Sequence, residues 1–151
     1  KGYFILFGAN YIGNLILAII GHQEQSLNQQ GIEELLKSRY MILVAISILL
    51  GPIIEELIFR KCFIDLFVFK GKFSPVLTVI SSSILFGLIH VAFNAKDNLE
   101  ELILMIPYFF QGLALGYLYV KNNYNIFPPI IVHILNNFIA LLVIIFMPAG
   151  F

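Results

Sequence analysis

The fold is decided by residues 40–69, which read YMILVAISILLGPIIEELIFRKCFIDLFVF. A helix needs about 20 mostly apolar residues to cross roughly 30 Å of hydrocarbon, and this run exceeds that length. Within it stand Glu55, Glu56 and, one helical turn further on, Arg60. Each ionised group near the bilayer centre costs about 2.5–3.5 kcal/mol on insertion scales, so these three would together cost on the order of 8–10 kcal/mol if they faced lipid unpaired. We therefore predict that they face inward, pair with one another or carry out chemistry.

The composition of the whole chain is that of an integral membrane protein. Of its 151 residues, 60% are hydrophobic and 12% are charged, whereas soluble domains are about 45–50% apolar and about 25% charged. The net charge is zero and the sequence has no basic tract, which argues against a nucleic-acid partner. The single cysteine, Cys62, excludes an intrachain disulfide and a cysteine-rich metal site.

Five apolar segments are long enough to span a bilayer; they are residues 3–20, 40–69, 75–93, 99–120 and 126–147. Because backbone groups in lipid must be satisfied within the segment, we expect helices. The predicted fold is an all-α, polytopic membrane bundle of about five transmembrane helices, with the active site in its core. Gly112 and Gly116 have the G-x-x-x-G spacing that lets a neighbouring helix approach closely.

The chain is predicted to form a single domain. Residues 1–39 would supply the first transmembrane helix and a polar connection, and residues 40–147 the functional core. Within the connection, residues 22–39 place apolar side chains on one helical face, which predicts a short interfacial helix.

The spacing of the charged residues separates their roles. Glu56 and Arg60 are i,i+4 neighbours with the acid N-terminal, the order that favours an ion pair. Such a pair is more often architectural than catalytic. Glu55 points about 100° away around the helix, toward a different neighbour. It is therefore the carboxylate without a local partner, which suits a general base or acid.

Other helices carry further polar groups at membrane depth. Phe86 and His90 are i,i+4, so the phenyl ring can pack beneath the imidazole; His133 and Asn137 are also i,i+4 and project from one face. Alone, a membrane histidine is more often an interhelical hydrogen-bonding group. Together with Glu55, however, these groups supply a base, a second proton-handling or ligating group, and donors for an oxyanion.

Three motifs in this order resemble those of a known family. They are Glu-Glu-x-x-x-Arg from Glu55, Phe-x-x-x-His from Phe86 and His-x-x-x-Asn from His133. Order, helix placement and inter-motif distances are similar to those of the CPBP group, the CAAX-protease and bacteriocin-processing family of intramembrane endopeptidases, also called the Abi or Rce1-like family. The matching region covers residues 40–142, so the resemblance implies that residues 40–147 are a protease core.

The resemblance also implies roles for the motif residues. Glu55 and His90 would activate the attacking water, and His133 and Asn137 would stabilise the oxyanion of the tetrahedral intermediate. The remaining motif residues would support the site: Glu56, Arg60 and Phe86. Members of the family usually have more spans than five, which predicts further helices upstream of this chain.

The cofactor stays open between none and a single Zn²⁺. Two histidines and a glutamate, here His90, His133 and Glu55, can hold Zn²⁺ with an open position for water. The same groups can work as a base and its orienting partners without a metal. We favour the metal-free version, because Glu55 cannot readily be both a ligand and a free base.

The predicted partners are the lipid bilayer and a membrane-associated peptide or protein substrate. A chain rich in Asn, Ile and Lys indicates the bacterial cytoplasmic membrane as the location. Two other functions remain as alternatives. A proton-coupled transporter also uses buried acids and histidines, although the paired half-repeats common in transporters are not seen in the sequence. A non-enzymatic immunity or scaffold protein would use the polar groups only to join helices.

Overall fold

The apolar run that carries Glu55 and Glu56 forms one continuous helix, α3, over Met41–Val68. The structure is a computed structural model that describes residues 1–21, 27–71, 73–91 and 99–146. Within these ranges α3 is preceded by α1 and α2 and followed by α4, α5 and α6. Their bounds are Gly2–Ile20 for α1, Leu27–Lys37 for α2, Pro75–Val91 for α4, Met105–Lys121 for α5 and Phe127–Phe146 for α6.

The all-helical membrane fold predicted from the sequence is confirmed. Over the described residues, four helices are long and apolar enough to cross a bilayer: α1, α3, α6, and Leu102–Lys121, which combines α5 with the end of the 3₁₀ turn before it. The remaining predicted span, residues 75–93, corresponds to α4, an apolar helix of 17 residues. At 1.5 Å per residue α4 is about 25 Å long, slightly less than the hydrocarbon thickness. The polar helix expected in the connection is α2; residues 22–26 of that connection lie outside the described residues.

Close contacts through glycine hold α5 between α1 and α4. A Cβ atom on Gly13 of α1 would lie 2.6 Å from the Cα of Pro107. On the opposite side of α5, a Cβ on Gly112 would lie 3.0 Å from the Cα of Ser83, and one on Gly116 would lie 2.8 Å from Val79 Cγ1. Small residues of this kind let helix backbones approach closely in a membrane. The predicted packing role of the G-x-x-x-G spacing is confirmed.

The second half of α3 departs from regular α geometry. Leu57–Ile64 is a π-helix that begins immediately after the glutamate pair. Ser82 on α4 donates a hydrogen bond from Oγ to the carbonyl oxygen of Phe59 within this segment, at 2.9 Å. π-Helical segments are frequent at functional sites because they alter which side chains face a given neighbour. The sequence did not predict this segment, since most of its residues are apolar and their pattern does not distinguish α from π turns.

Candidate active site

The predicted ion pair between Glu56 and Arg60 is confirmed and is completely buried. Glu56 Oε2 lies 3.1 Å from Arg60 Nε, and the two side chains are 0% and 1% exposed. Arg60 also donates from Nη2 to the carbonyl oxygen of Gly112 on α5, at 3.1 Å. Its guanidinium carbon lies 5.0 Å from the centre of the Phe86 ring on α4, within cation–π range. The pair therefore ties α3 to both α4 and α5.

Glu56 has a second contact that sequence reasoning missed. Its other oxygen, Oε1, lies 2.9 Å from His133 Nδ1, across 77 positions of sequence. A carboxylate paired with Arg60 can only accept hydrogen bonds. His133 therefore carries a proton on Nδ1, and this N–H donates a hydrogen bond to Glu56. This contact sets the ring orientation of His133 and leaves its Nε2 facing Glu55.

His90 is held in the same protonation pattern by a different acceptor. Its Nδ1 lies 2.7 Å from the carbonyl oxygen of Phe86, which can only accept, so Nδ1 again carries a proton. The Phe86 ring packs 4.4 Å from the imidazole, as the i,i+4 spacing predicted. Tyr108 of α5, which the sequence analysis did not single out, stacks on the same imidazole with ring centres 4.3 Å apart. Two aromatic rings thus fix the plane of His90.

Both imidazoles direct Nε2 at the same carboxylate. Glu55 Oε2 lies 3.9 Å from His90 Nε2 and 3.8 Å from His133 Nε2. In their neutral forms both Nε2 atoms are acceptors, because the ring protons are on Nδ1. The separations are longer than a hydrogen bond but short enough for a water molecule to bridge them. Polar atoms from three helices therefore surround one point, where a water can donate one hydrogen bond to the Glu55 carboxylate and another to a neutral imidazole.

The four residues predicted to be catalytic line one cavity of 660 Å³: Glu55, His90, His133 and Asn137. The cavity also receives carboxamides that were not predicted to belong to the site, among them Asn14 and Gln111. Asn10 of α1 lines it as well and donates from Nδ2 to Asn136 Oδ1, at 2.9 Å. Helix α1, which carries none of the three motifs, is therefore part of the cavity wall.

The candidate Zn²⁺ ligands, Glu55, His90 and His133, have donor atoms that suit this ion. Each histidine has its Nδ1 on an oxygen acceptor, as metal-bound histidines usually do. Within the part of the chain that the structure describes, however, no group of three or more His, Cys, Asp or Glu side chains is placed to hold one ion. The choice between a metal-free site and a Zn²⁺ site therefore stays a prediction.

Comparison with known proteins adds a family match that covers the site. Residues 37–139 match the profile of the family described as "Type II CAAX prenyl endopeptidase Rce1-like". The matched segment contains all three sequence motifs.

Two curated bacterial relatives are similar over much of the chain. One, named "Putative membrane peptidase YdiL", from Bacillus subtilis strain 168, is 29% identical over 137 residues, which cover 90% of this chain and 51% of the relative. An "Uncharacterized protein" from Mycoplasma capricolum subsp. capricolum is 26% identical over 129 residues, which cover 76% of this chain and 35% of the relative. The chain thus spans about half the length of the first relative and about a third of the second. No solved structure matches it.

Proposed function

The chain belongs to the Rce1-like family of type II CAAX prenyl endopeptidases, and on that premise we propose that it is an intramembrane endopeptidase. It hydrolyses a peptide bond in a membrane-associated peptide or protein. The observation that carries the proposal is the convergence of Glu55, His90 and His133 on one point of a shared cavity, with separations of 3.8 and 3.9 Å. A purely architectural role would not require two imidazole Nε2 atoms and a carboxylate to converge at separations longer than a direct hydrogen bond.

The attacking water is activated by Glu55 and oriented by His90. The water donates one hydrogen bond to the Glu55 carboxylate and the other to His90 Nε2. As its oxygen attacks the carbonyl carbon, the first proton passes to Glu55. Glu55 then gives that proton to the leaving nitrogen, the carbon–nitrogen bond breaks, and the products are a carboxylic acid and an amine.

The oxyanion is stabilised by His133 and Asn137. Asn137 offers the N–H groups of its carboxamide. His133 can donate only from Nε2, because its Nδ1 proton is already held by Glu56 at 2.9 Å. In this role His133 is therefore an imidazolium, with one N–H on Glu56 and the other on the oxyanion. Glu56 and Arg60 orient the ring, and the mechanism uses these side chains without a metal.

The experiment is a cleavage assay with the purified chain in lipid nanodiscs and a library of peptides, with products identified by mass spectrometry. Replacing Glu55 with Gln should lower the cleavage rate by about 10²–10⁴-fold, the usual contribution of a general base. The matched control is Glu33→Gln on the polar helix α2, which removes an acid that does not line the cavity. Cleavage by Glu55→Gln at the wild-type rate would overturn the proposal.

A further inference from the structure

Gln111 is one of the polar side chains of the cavity that have no role in the proposed mechanism. Gln111 on α5 is only 8% exposed and lines the cavity together with Glu55 and the two histidines. It makes no hydrogen bond to any residue that the structure describes. Its carboxamide is not among the fully enclosed polar groups that lack a partner, so it is accessible from the cavity. Since the surrounding described residues do not supply the partner, the occupant of the cavity is the natural source of one.

The backbone that carries Gln111 is held firmly against the active site. The carbonyl of the next residue, Gly112, accepts a hydrogen bond from Arg60, and Gly112 packs directly on Ser83 of α4. One turn earlier on the same helix, Tyr108 stacks on His90. Gln111 is thus positioned by the residues that position the catalytic histidines, which is the support expected of a binding residue.

The chemistry of the side chain identifies what it would bind. A carboxamide has an acceptor oxygen and two N–H donors, so it pairs with both the N–H and the C=O of a peptide group. We propose that Gln111 is a substrate-binding residue that hydrogen-bonds the main chain of the substrate beside the scissile bond. This inference rests on the proposed protease function.

This assignment restricts the substrate class. In the interior of a helix the main-chain N–H and C=O groups are already bonded to one another, so a substrate that is helical at this point has none to offer to Gln111. The substrate segment that enters the cavity is therefore extended or unwound at the site of cleavage.

A backbone-ester scan tests this assignment. A peptide that the wild-type protein cleaves is resynthesised with one amide at a time replaced by an ester, which removes the N–H donor and weakens the carbonyl acceptor. Each analogue is assayed with the wild-type chain and with Gln111→Met, which keeps the side-chain length and removes the carboxamide. The control is Asn122→Ala, which removes a carboxamide from the C-terminal end of the same helix, where it bonds to the Leu118 carbonyl.

We expect Gln111→Met to lower kcat/KM on the all-amide peptide by about 2- to 12-fold, the value of one neutral hydrogen bond. At one position, the ester should lower the kcat/KM of the wild-type protein by a similar factor. The same ester should not lower the kcat/KM of Gln111→Met any further. Gln111→Asn shortens the side chain by one methylene and should likewise be insensitive to the ester at that position. It serves as the second variant if Gln111→Met does not fold.

The outcomes separate the two proposals. Ester penalties that are identical in the wild-type, Gln111 and Asn122 proteins would overturn the role of Gln111 and leave the protease function standing. If the wild-type protein cleaves no peptide, the proposed function falls and this inference falls with it.

Discussion

Replacing Glu56 with Gln would remove one charge from a pair in which neither side chain is more than 1% exposed. The Arg60 guanidinium would then remain in the bundle core without its counter-ion. Arg60→Met would produce the converse defect, a buried carboxylate whose remaining partner, among the residues that the structure describes, is the Nδ1–H of His133. The double variant carries neither charge, and its Gln oxygen can still accept the hydrogen bond from His133.

The magnitudes follow from the burial of the pair. Removing one partner of a buried ion pair costs about 3–5 kcal/mol, whereas replacing both by uncharged residues of similar volume is often neutral. We therefore expect each single variant to lose about 3–5 kcal/mol of unfolding free energy, and the double variant to lose about 2 kcal/mol or less. If the two substitutions were independent, the double variant would instead lose about 6–10 kcal/mol, the sum of the two single effects.

Equilibrium unfolding of the four proteins in mixed micelles, titrated with a denaturing detergent and followed by circular dichroism, measures these values. The double-mutant cycle isolates the pairwise energy because the two residues are in direct contact. A double variant that loses the full sum of the single losses would refute the argument that Glu56 and Arg60 neutralise each other.

Three further predictions follow from the packing and the chemistry of the site. Gly13→Ala should lower the unfolding free energy by about 1–3 kcal/mol, because its Cβ would meet the Cα of Pro107 at 2.6 Å. The control is Gly8→Ala, which has open space around it and should not destabilise the protein. Equal losses of unfolding free energy in the two variants would contradict the close packing at Gly13. Replacing Asn10 and Asn136 by Ala, singly and together, should reveal a coupling of about 0.6 kcal/mol in unfolding, typical of interhelical hydrogen bonds; strictly additive losses would argue against the bond. A Zn²⁺ chelator should leave peptide cleavage unchanged, and a loss of activity that added Zn²⁺ restores would replace the metal-free mechanism with the metal-dependent alternative.

Contacts within a single helix could be predicted from the sequence because helical geometry places i and i+4 side chains together whatever the rest of the fold does. The Glu56–Arg60 ion pair and the packing of Phe86 on His90 are of this kind, and both are present. The composition likewise predicted a membrane bundle, since only helices or closed barrels satisfy the backbone in lipid. The division of the chain at residue 39 stays a prediction.

Contacts between helices depended on the tertiary structure. No periodicity connects Glu56 to His133, which is 77 positions away, or Asn10 to Asn136, which is 126 positions away. The face that each helix turns inward is set by the packing of its side chains and backbone against neighbouring helices. The glycine contacts of α5 with its neighbours are an example. The sequence by itself determined which chemical groups the membrane core contains. The packing of the helices decided that His133 Nδ1 contacts Glu56 and that Gln111 lines the same cavity as Glu55, His90 and His133, because rotation about a helix axis is fixed only by what packs against it.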